Sequence, residues 1–264
     1  MSELSAPVAI IGGSGFYDLF DPAADNFVGL VAAQTPFGEP SAPISIAEIA
    51  GLNVAFLPRH GLRHEYPPHS VPYRANIHAL AELGVKRILA PCASGSMNID
   101  LAPGSLVVPD QLIDQTKNRP QTFYDMFDGQ THHAKFAEPY CAPLRESILK
   151  SAADSGWTAT DGATMVVIDG PRFSTRAESR FYEGQGWDLV NMTGHPEAVL
   201  AREKGICYAT LALVTNYSGN LTTGAGVSDA EVFEFFAANI ERLRKVLLTA
   251  VEPARLPIAS GCCS

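Results

Sequence analysis

Short apolar, β-branched runs alternate with longer stretches of helical spacing along the whole chain. Val8-Ala9-Ile10-Ile11 predicts a first strand that ends at Gly12-Gly13. Residues 44–49 and 54–57 predict a hairpin whose turn is Gly51-Leu52-Asn53. From Tyr73 to Leu83 the apolar residues recur at helical spacing and stop at Gly84. Arg87 to Pro91 predicts a strand, followed by the small-residue loop Ala93-Ser94-Gly95-Ser96, and residues 104–108 predict another. Residues 114–140 are polar and aromatic without a period, which is the pattern of a long functional loop. Beyond it come a helix (143–155), a strand (163–168), a helix (175–184), a short strand (189–192) and a helix (196–204). Residues 206–215 form the most apolar strand, and 228–251 a closing helix in which Ser228 is the N-cap and Glu231 completes a capping box. Alternating β and α elements predict one α/β domain over residues 1–264, with a mixed, largely parallel central sheet flanked by helices. There is no internal repeat or interdomain linker, and residues 255–264 read as a flexible tail.

Composition narrows the function classes. An apolar content of 46% with 18% charged residues is that of an ordinary globular protein. A net charge of −9 argues against a nucleic-acid partner, which calls for a basic face. It does not exclude a small anionic substrate, because local donors decide that. No apolar run is long enough for a membrane helix, and the first residues lack a signal-like core. The five cysteines show no CxxC spacing, which removes a zinc or dithiol motif and makes the cytoplasm the expected compartment. Cys207 lies in an apolar run and reads as a buried small hydrophobe.

The chemistry concentrates where predicted strands run into loops, the usual ligand-binding edge of an α/β sheet. Gly12-Gly13-Ser14-Gly15 follows the first strand, where glycines let backbone N–H groups approach an anion and Ser14 adds a hydroxyl. It is neither a P-loop nor GxGxxG. Arg59-His60-Gly61-Leu62-Arg63-His64 follows a strand. Arg59 offers a planar fork of donors matched to phosphate oxygens, and His60 and His64 can each add a hydrogen bond. A metal site on the two histidines would need a helix, against which Gly61 argues, and a third ligand. Met192-Thr193 closes a strand: the Thr hydroxyl with its own N–H suits an anion, and the Met can pack on a sugar. Phe173, in a loop, can stack on a flat heterocycle.

These segments, with Thr35-Pro36-Phe37-Gly38, Pro72-Tyr73-Arg74-Ala75-Asn76, Pro103-Gly104, Gly170 to Glu178, Asn191-Met192-Thr193 and Pro196-Glu197, resemble the trimeric purine nucleoside phosphorylase and methylthioadenosine phosphorylase family from about Val8 to Val251. The resemblance implies phosphorolysis: orthophosphate attacks the anomeric carbon of a nucleoside and releases a purine base and a pentose 1-phosphate. It implies phosphate binding by Ser14, Arg59, His60, His64, Ala93 and Thr193, with Met192 along the ribose and Phe173 on the base. His60 and Asn216 take the catalytic roles, and His133 is expected to reach a neighbouring subunit's site in a homotrimer or a dimer of trimers. No cofactor or metal is expected, orthophosphate being a co-substrate.

The resemblance also frames the choice of nucleoside. The methylthioadenosine branch carries Thr-Asp-x-Asp where this chain has Thr215-Asn216-Tyr217-Ser218. A carboxylate only accepts hydrogen bonds and suits an exocyclic amine, whereas the Asn216 amide can donate to a 6-oxo group and N7. Asp229 falls where that branch has an apolar residue, and it can accept from a 5′-hydroxyl. Ser174 points the other way: it matches the methylthioadenosine branch, where 6-oxopurine enzymes carry Glu. The expectation is 6-oxopurine specificity for inosine or guanosine, with methylthioadenosine as the alternative substrate. A nucleoside- or phosphate-binding protein without catalysis is the rival from another class.

Overall fold

The computed structural model describes residues 4–13, 16, 20–218 and 228–252. Ser14, Cys262, Cys263 and the expected 255–264 tail lie outside the described residues.

The described residues form eleven strands in one sheet and five α-helices. The strands are β1 (Val8–Gly12), β2 (Phe27–Val31), β3 (Ile44–Ile49), β4 (Leu52–Pro58), β5 (Arg87–Ser96), β6 (Leu106–Val108), β7 (Gln111–Asp114), β8 (Ala159–Asp161), β9 (Thr164–Val167), β10 (Leu189–Asn191) and β11 (Cys207–Tyr217). The helices are α1 (Tyr73–Glu82), α2 (Ala142–Asp154), α3 (Arg176–Gly184), α4 (Gly194–Glu203) and α5 (Asp229–Ala250). The sheet is mixed with parallel pairs in the majority, as the alternation of elements predicted. Among the described residues no helix is long and apolar enough to cross a membrane.

Several local expectations hold, and their causes are visible. The β3–β4 hairpin forms, but its turn is Ala50-Gly51, with Ile49 paired to Leu52. Both turn residues have positive φ (51° and 77°), the two-residue geometry whose twist matches a hairpin. Ser228 caps α5 with both arms of the capping box made, and Thr175 caps α3 in the same way with Glu178. Strands β2, β7 and β8 are short or flank loops, and no hydrophobic period announced them.

The central strands are buried on both faces, with alternate residues facing opposite helical layers. Val8, Ile10, Phe56, Leu89 and Leu211 pack with Leu144 and Ile148 of α2 and Leu243 and Val246 of α5. Ala9, Ile11, Leu57 and Ile88 face the other way, against Ile77 and Leu80 of α1 and Leu200 and Ala201 of α4.

One strand corrects the sequence reading in a way that creates the site. Ala93-Ser94-Gly95-Ser96 is not a loop but the second half of β5. Gly95 there answers to the close approach of Ser218, Val190 and Asn216 rather than to a turn. One edge of β5 pairs along its length with β11. Its other edge pairs with β1 as far as Leu89, and with antiparallel β10 at Gly95 and Ser96. Between Leu89 and Gly95 that edge has no strand partner, and the sheet forks. The carbonyls of Pro91 and Ala93 point into the fork, where they accept from Arg59 Nη1 and Asn191 Nδ2. In an extended strand a residue's N–H and C=O leave by the same edge in parallel pairing, so the Ala93 N–H faces the opening too.

Ser228→Ala should remove one arm of the α5 cap and lower stability by about 1 kcal/mol, read as a shift in the urea midpoint with an unchanged slope.

Candidate active site

A cavity of about 780 Å³ fills the fork. This is within the usual range for small-molecule sites. Arg59, His60, His64, Ala93, Phe173, Ser174, Met192, Thr193, Asn216, Ser218 and Asp229 all line it, from segments spread over 170 residues of sequence. His133 does not: it is exposed on the long loop, against the Phe127 ring. The cavity has two chemically different ends, one at Pro91–Ala93 and the other at Gly95. Measured along β5 from Pro91 to Gly95, they are roughly 13 Å apart at about 3.3 Å per residue.

At the first end most of the Arg59 donors are turned inward. The side chain is buried, and its fork closes on Glu197 of α4, with Nε–Oε1 at 2.5 Å and Nη2–Oε2 at 3.1 Å. Nη2 also donates to the Ile11 carbonyl and Nη1 to that of Pro91. Four of five N–H groups are thus committed, and a bidentate grip on phosphate is not available; one Nη1 hydrogen remains for the cavity. Glu197 is 1% exposed and also accepts from the Tyr208 hydroxyl at 2.9 Å. Burial alone would lower the Arg59 pKa, but the Glu197 carboxylate outweighs it and holds the guanidinium firmly charged.

His60 Nδ1 lies 2.8 Å from the Tyr66 carbonyl, which can only accept, so Nδ1 carries the proton. Burial, followed by the neighbouring Arg59 charge, pushes its pKa down to about 4. The neutral ring therefore offers Nε2 as an acceptor. His64, at φ +58°, stacks on it with centroids 4.4 Å apart and meets Phe233 of α5 edge-on.

Thr193 is also refined. Its N–H is not free for an anion but donates to Asn191 Oδ1 at 2.7 Å, as does that of Gly194 at 2.8 Å. Asn191, the last residue of β10, reaches across to the Ala93 carbonyl with its Nδ2 and so locks both walls. The Thr193 hydroxyl also faces Asn191 Oδ1, at a long 3.4 Å, and can turn from that contact to a ligand.

At the second end, β11 shifts register against β5 between Val214 and Asn216. Such a bulge re-aims the side chains beyond it. The Thr215 hydroxyl donates to Asn216 Oδ1 at 2.9 Å, and Nδ2 donates to the Tyr217 carbonyl at 2.9 Å. The second Nδ2 hydrogen faces Ser218 Oγ at 3.5 Å, a long contact that a ligand acceptor can displace. Gly95 is required here: a Cβ would overlap Ser218 Oγ and come within 3.3 Å of Asn216 Nδ2. Ser174 Oγ is buried without a hydrogen-bond partner. Phe173 and Ser174 are held by Arg172, which donates to the Phe173 carbonyl and pairs with both oxygens of Glu178. That pairing, with the Thr175 N–H, keeps the Glu178 pKa down at about 2. Asp229 and Phe233, one turn apart on α5, line the cavity, and Phe233 meets His64.

Sequence reasoning missed Glu197 and Asn191 as organisers, and Gly95 as a fitted residue. A carboxylate amid an apolar helix, as in Pro196-Glu197-Ala198-Val199-Leu200, was a usable signal for the first; nothing local marked the other two.

Comparison with known proteins agrees with this architecture. Residues 7–252 match the model of the Phosphorylase superfamily. The chain is 47% identical to the purine nucleoside phosphorylase of Streptomyces coelicolor, over 98% of this chain and 92% of that one. It is 51% identical to the S-methyl-5′-thioadenosine phosphorylase of Mycolicibacterium smegmatis, over 93% and 90%. Among solved structures, a methylthioadenosine phosphorylase from an antarctic soil metagenomic library superposes with a TM-score of 0.86 at 41% identity, covering 94% of this chain and 86% of that one. The Schistosoma mansoni methylthioadenosine phosphorylase in complex with adenine gives 0.86 at 37%, covering 94% and 91%. The fold and site are therefore those of the phosphorylase superfamily. Within it the chain belongs to the family of purine nucleoside and methylthioadenosine phosphorylases.

Two outcomes are expected. Glu197→Ala should destabilise the fold by about 3–5 kcal/mol in chemical denaturation, because it leaves the Arg59 charge buried without its counter-ion. The depressed His60 pKa means the unfolded chain binds its proton below about 6.5 while the folded one resists until about 4. Stability should therefore fall as pH drops through that window, and His60→Gln should flatten the melting-temperature profile there.

Proposed function

We propose that the protein catalyses phosphate-dependent cleavage of purine nucleosides, with preference for 6-oxopurines such as those of inosine and guanosine. The reading rests on the fixed Asn216 amide. Oδ1 already accepts from Thr215, while the Nδ2 hydrogen, held only by the long contact to Ser218, is the donor suited to a 6-oxo oxygen or N7. Ser174 and Ser218 add hydroxyls, and among the described lining residues no carboxylate accompanies them at that end. Among the described lining residues the one carboxylate is Asp229, at the start of α5, where a 5′-hydroxyl would find an acceptor.

The opposite end suits phosphate. The Ala93 N–H, the Thr193 hydroxyl and the remaining Arg59 Nη1 hydrogen can donate, and neutral His60 Nε2 can accept from a protonated phosphate oxygen. His64 stacks alongside, and Ser14 joins the set by resemblance. Phosphate placed beneath the sugar is positioned for attack on the anomeric carbon, with Met192 along the ribose and Phe173 over the base. As the glycosidic bond breaks, the sugar gains oxocarbenium character beside the anion. The departing base gains negative charge, which the Asn216 donor stabilises. The chemistry calls for no metal, redox cofactor or covalent nucleophile. The long loop carries an exposed cluster, including Met126 (88% exposed) and Phe127 next to His133, which supports assembly into a homotrimer or a dimer of trimers with His133 completing a neighbour's site.

A second reading has its own support. Val232, Phe233 and Phe236 give the α5 wall an apolar surface that a 5′-methylthio group would fit, and several relatives are named as methylthioadenosine phosphorylases.

Base release from inosine, guanosine, adenosine and methylthioadenosine, each with and without phosphate, separates these readings. Fastest phosphate-dependent release from inosine or guanosine is expected; methylthioadenosine as best substrate favours the second, and no release from any overturns both. Asn216→Asp should move the inosine-to-adenosine ratio of kcat/KM toward adenosine by about tenfold or more, since a good base contact is worth about 1–3 kcal/mol. An unmoved ratio overturns the assignment of Asn216 to the base.

A further inference from the structure

Three walls of the cavity rest on one side chain that does not line it. Arg119 enters from the segment after β7 and is buried. Its Nη1 donates to the carbonyls of Met192 (2.9 Å) and His195 (2.7 Å), and its Nη2 to those of Asp169 (2.7 Å) and Ile168 (3.3 Å). Nη1 also reaches the Tyr73 hydroxyl at 3.3 Å, and that hydroxyl donates to the Pro68 carbonyl at 2.7 Å. Nε faces Asp169 Oδ1 at 3.3 Å without an aligned hydrogen bond, and the guanidinium lies 5.4 Å from the Tyr73 ring. Pro68, Ile168 and Met192, the ends of these contacts, line the cavity, but Arg119 and Tyr73 do not.

We infer that Arg119 is a positioning residue that fixes the sugar-facing Met192 and the adjoining Thr193 relative to the Ile168–Pro171 and Pro67–Pro68 walls. The inference rests on the phosphorolytic reading above and concerns how that site is held. A planar fork with five donors can span four carbonyls of two separate segments at once; an ammonium, a point charge with three donors on a flexible stem, cannot hold the same set. Asn191 holds the Thr193 N–H from the β10 side, and Arg119 holds the Met192 carbonyl from the opposite side. The same residue begins the long loop that bears His133, so the loop's attachment and the sugar wall share one anchor.

The test uses Arg119→Lys and the milder Tyr73→Phe, which deletes only the hydroxyl link to Pro68. Folding is monitored by circular dichroism, and kcat and KM are measured for nucleoside and phosphate. A displaced wall leaves each ligand its own contacts but spoils their mutual alignment. The expected result is a kcat lowered about 100-fold in Arg119→Lys, with either KM changed less than about threefold. Tyr73→Phe should show a smaller fall in the same sense. A folded Arg119→Lys with kcat within about threefold of the parent, whatever its melting temperature, overturns the inference. If the parent releases no base, it is the phosphorolytic reading that fails. The positioning role is then decided by the Met192 methyl resonance in methionine-labelled protein: displacement or broadening in both variants supports it, and an unchanged signal overturns it.

Discussion

The buried pair between Arg59 and Glu197 sets the terms for everything around it. Two opposite charges taken out of water must meet with good geometry and satisfy their remaining hydrogens and lone pairs, or the desolvation cost is not recovered. Here that condition ties the end of β4 to Ile11 of β1, to Pro91 of β5, to α4 through Glu197, and to β11 through Tyr208. All four strands and the helix converge on the cavity floor. Because the guanidinium is offset by its own carboxylate, this end of the cavity presents directed donors more than net charge. That is consistent with a phosphate end built from a backbone N–H, a Thr hydroxyl and a neutral histidine in a protein of net charge −9.

The fork in β5 supplies the second constraint. A strand that changes partner on one edge leaves main-chain polar groups without a ladder, and buried groups of that kind need other partners. Arg59 and Asn191 take two of the carbonyls, and the N–H of Ala93 is left facing the opening. The bulge in β11 lies on the opposite edge of the same strand, so donors for both ends of a substrate are measured from one backbone. Gly95 lets this happen because its missing side chain is the space that Asn216 and Ser218 occupy.

Much of the chain was legible because its causes are local. The β3–β4 hairpin, the helix beginning at Tyr73 and the capping box at Ser228 depend on residues within a few positions of one another. Continuous apolar runs located β1 and β11, and the capping box located the start of α5. The small residues of 93–96 misled for the same reason. Locally they look like a turn, and only the folded chain shows that Gly95 answers to the close approach of Ser218, Val190 and Asn216. Arg59 was recognised as a site residue, but the partner that takes up most of its donors lies 138 residues away in sequence. The Thr193 N–H was likewise assigned to a ligand, although Asn191, two residues back, already holds it.

By itself the sequence determined the α/β class, the boundaries of most elements and the set of side chains that gather at the strand ends, because these follow from short-range patterning and residue chemistry. Tertiary structure alone decided what each of those side chains is free to do. Which donors Arg59 has left and which walls Arg119 holds are settled by partners distant in sequence, while the His60 proton and the facing of the Asn216 amide are settled by the folded path of the chain next to them. A hydrogen bond uses up a specific lone pair or proton, and only the folded neighbourhood fixes which ones remain for a ligand.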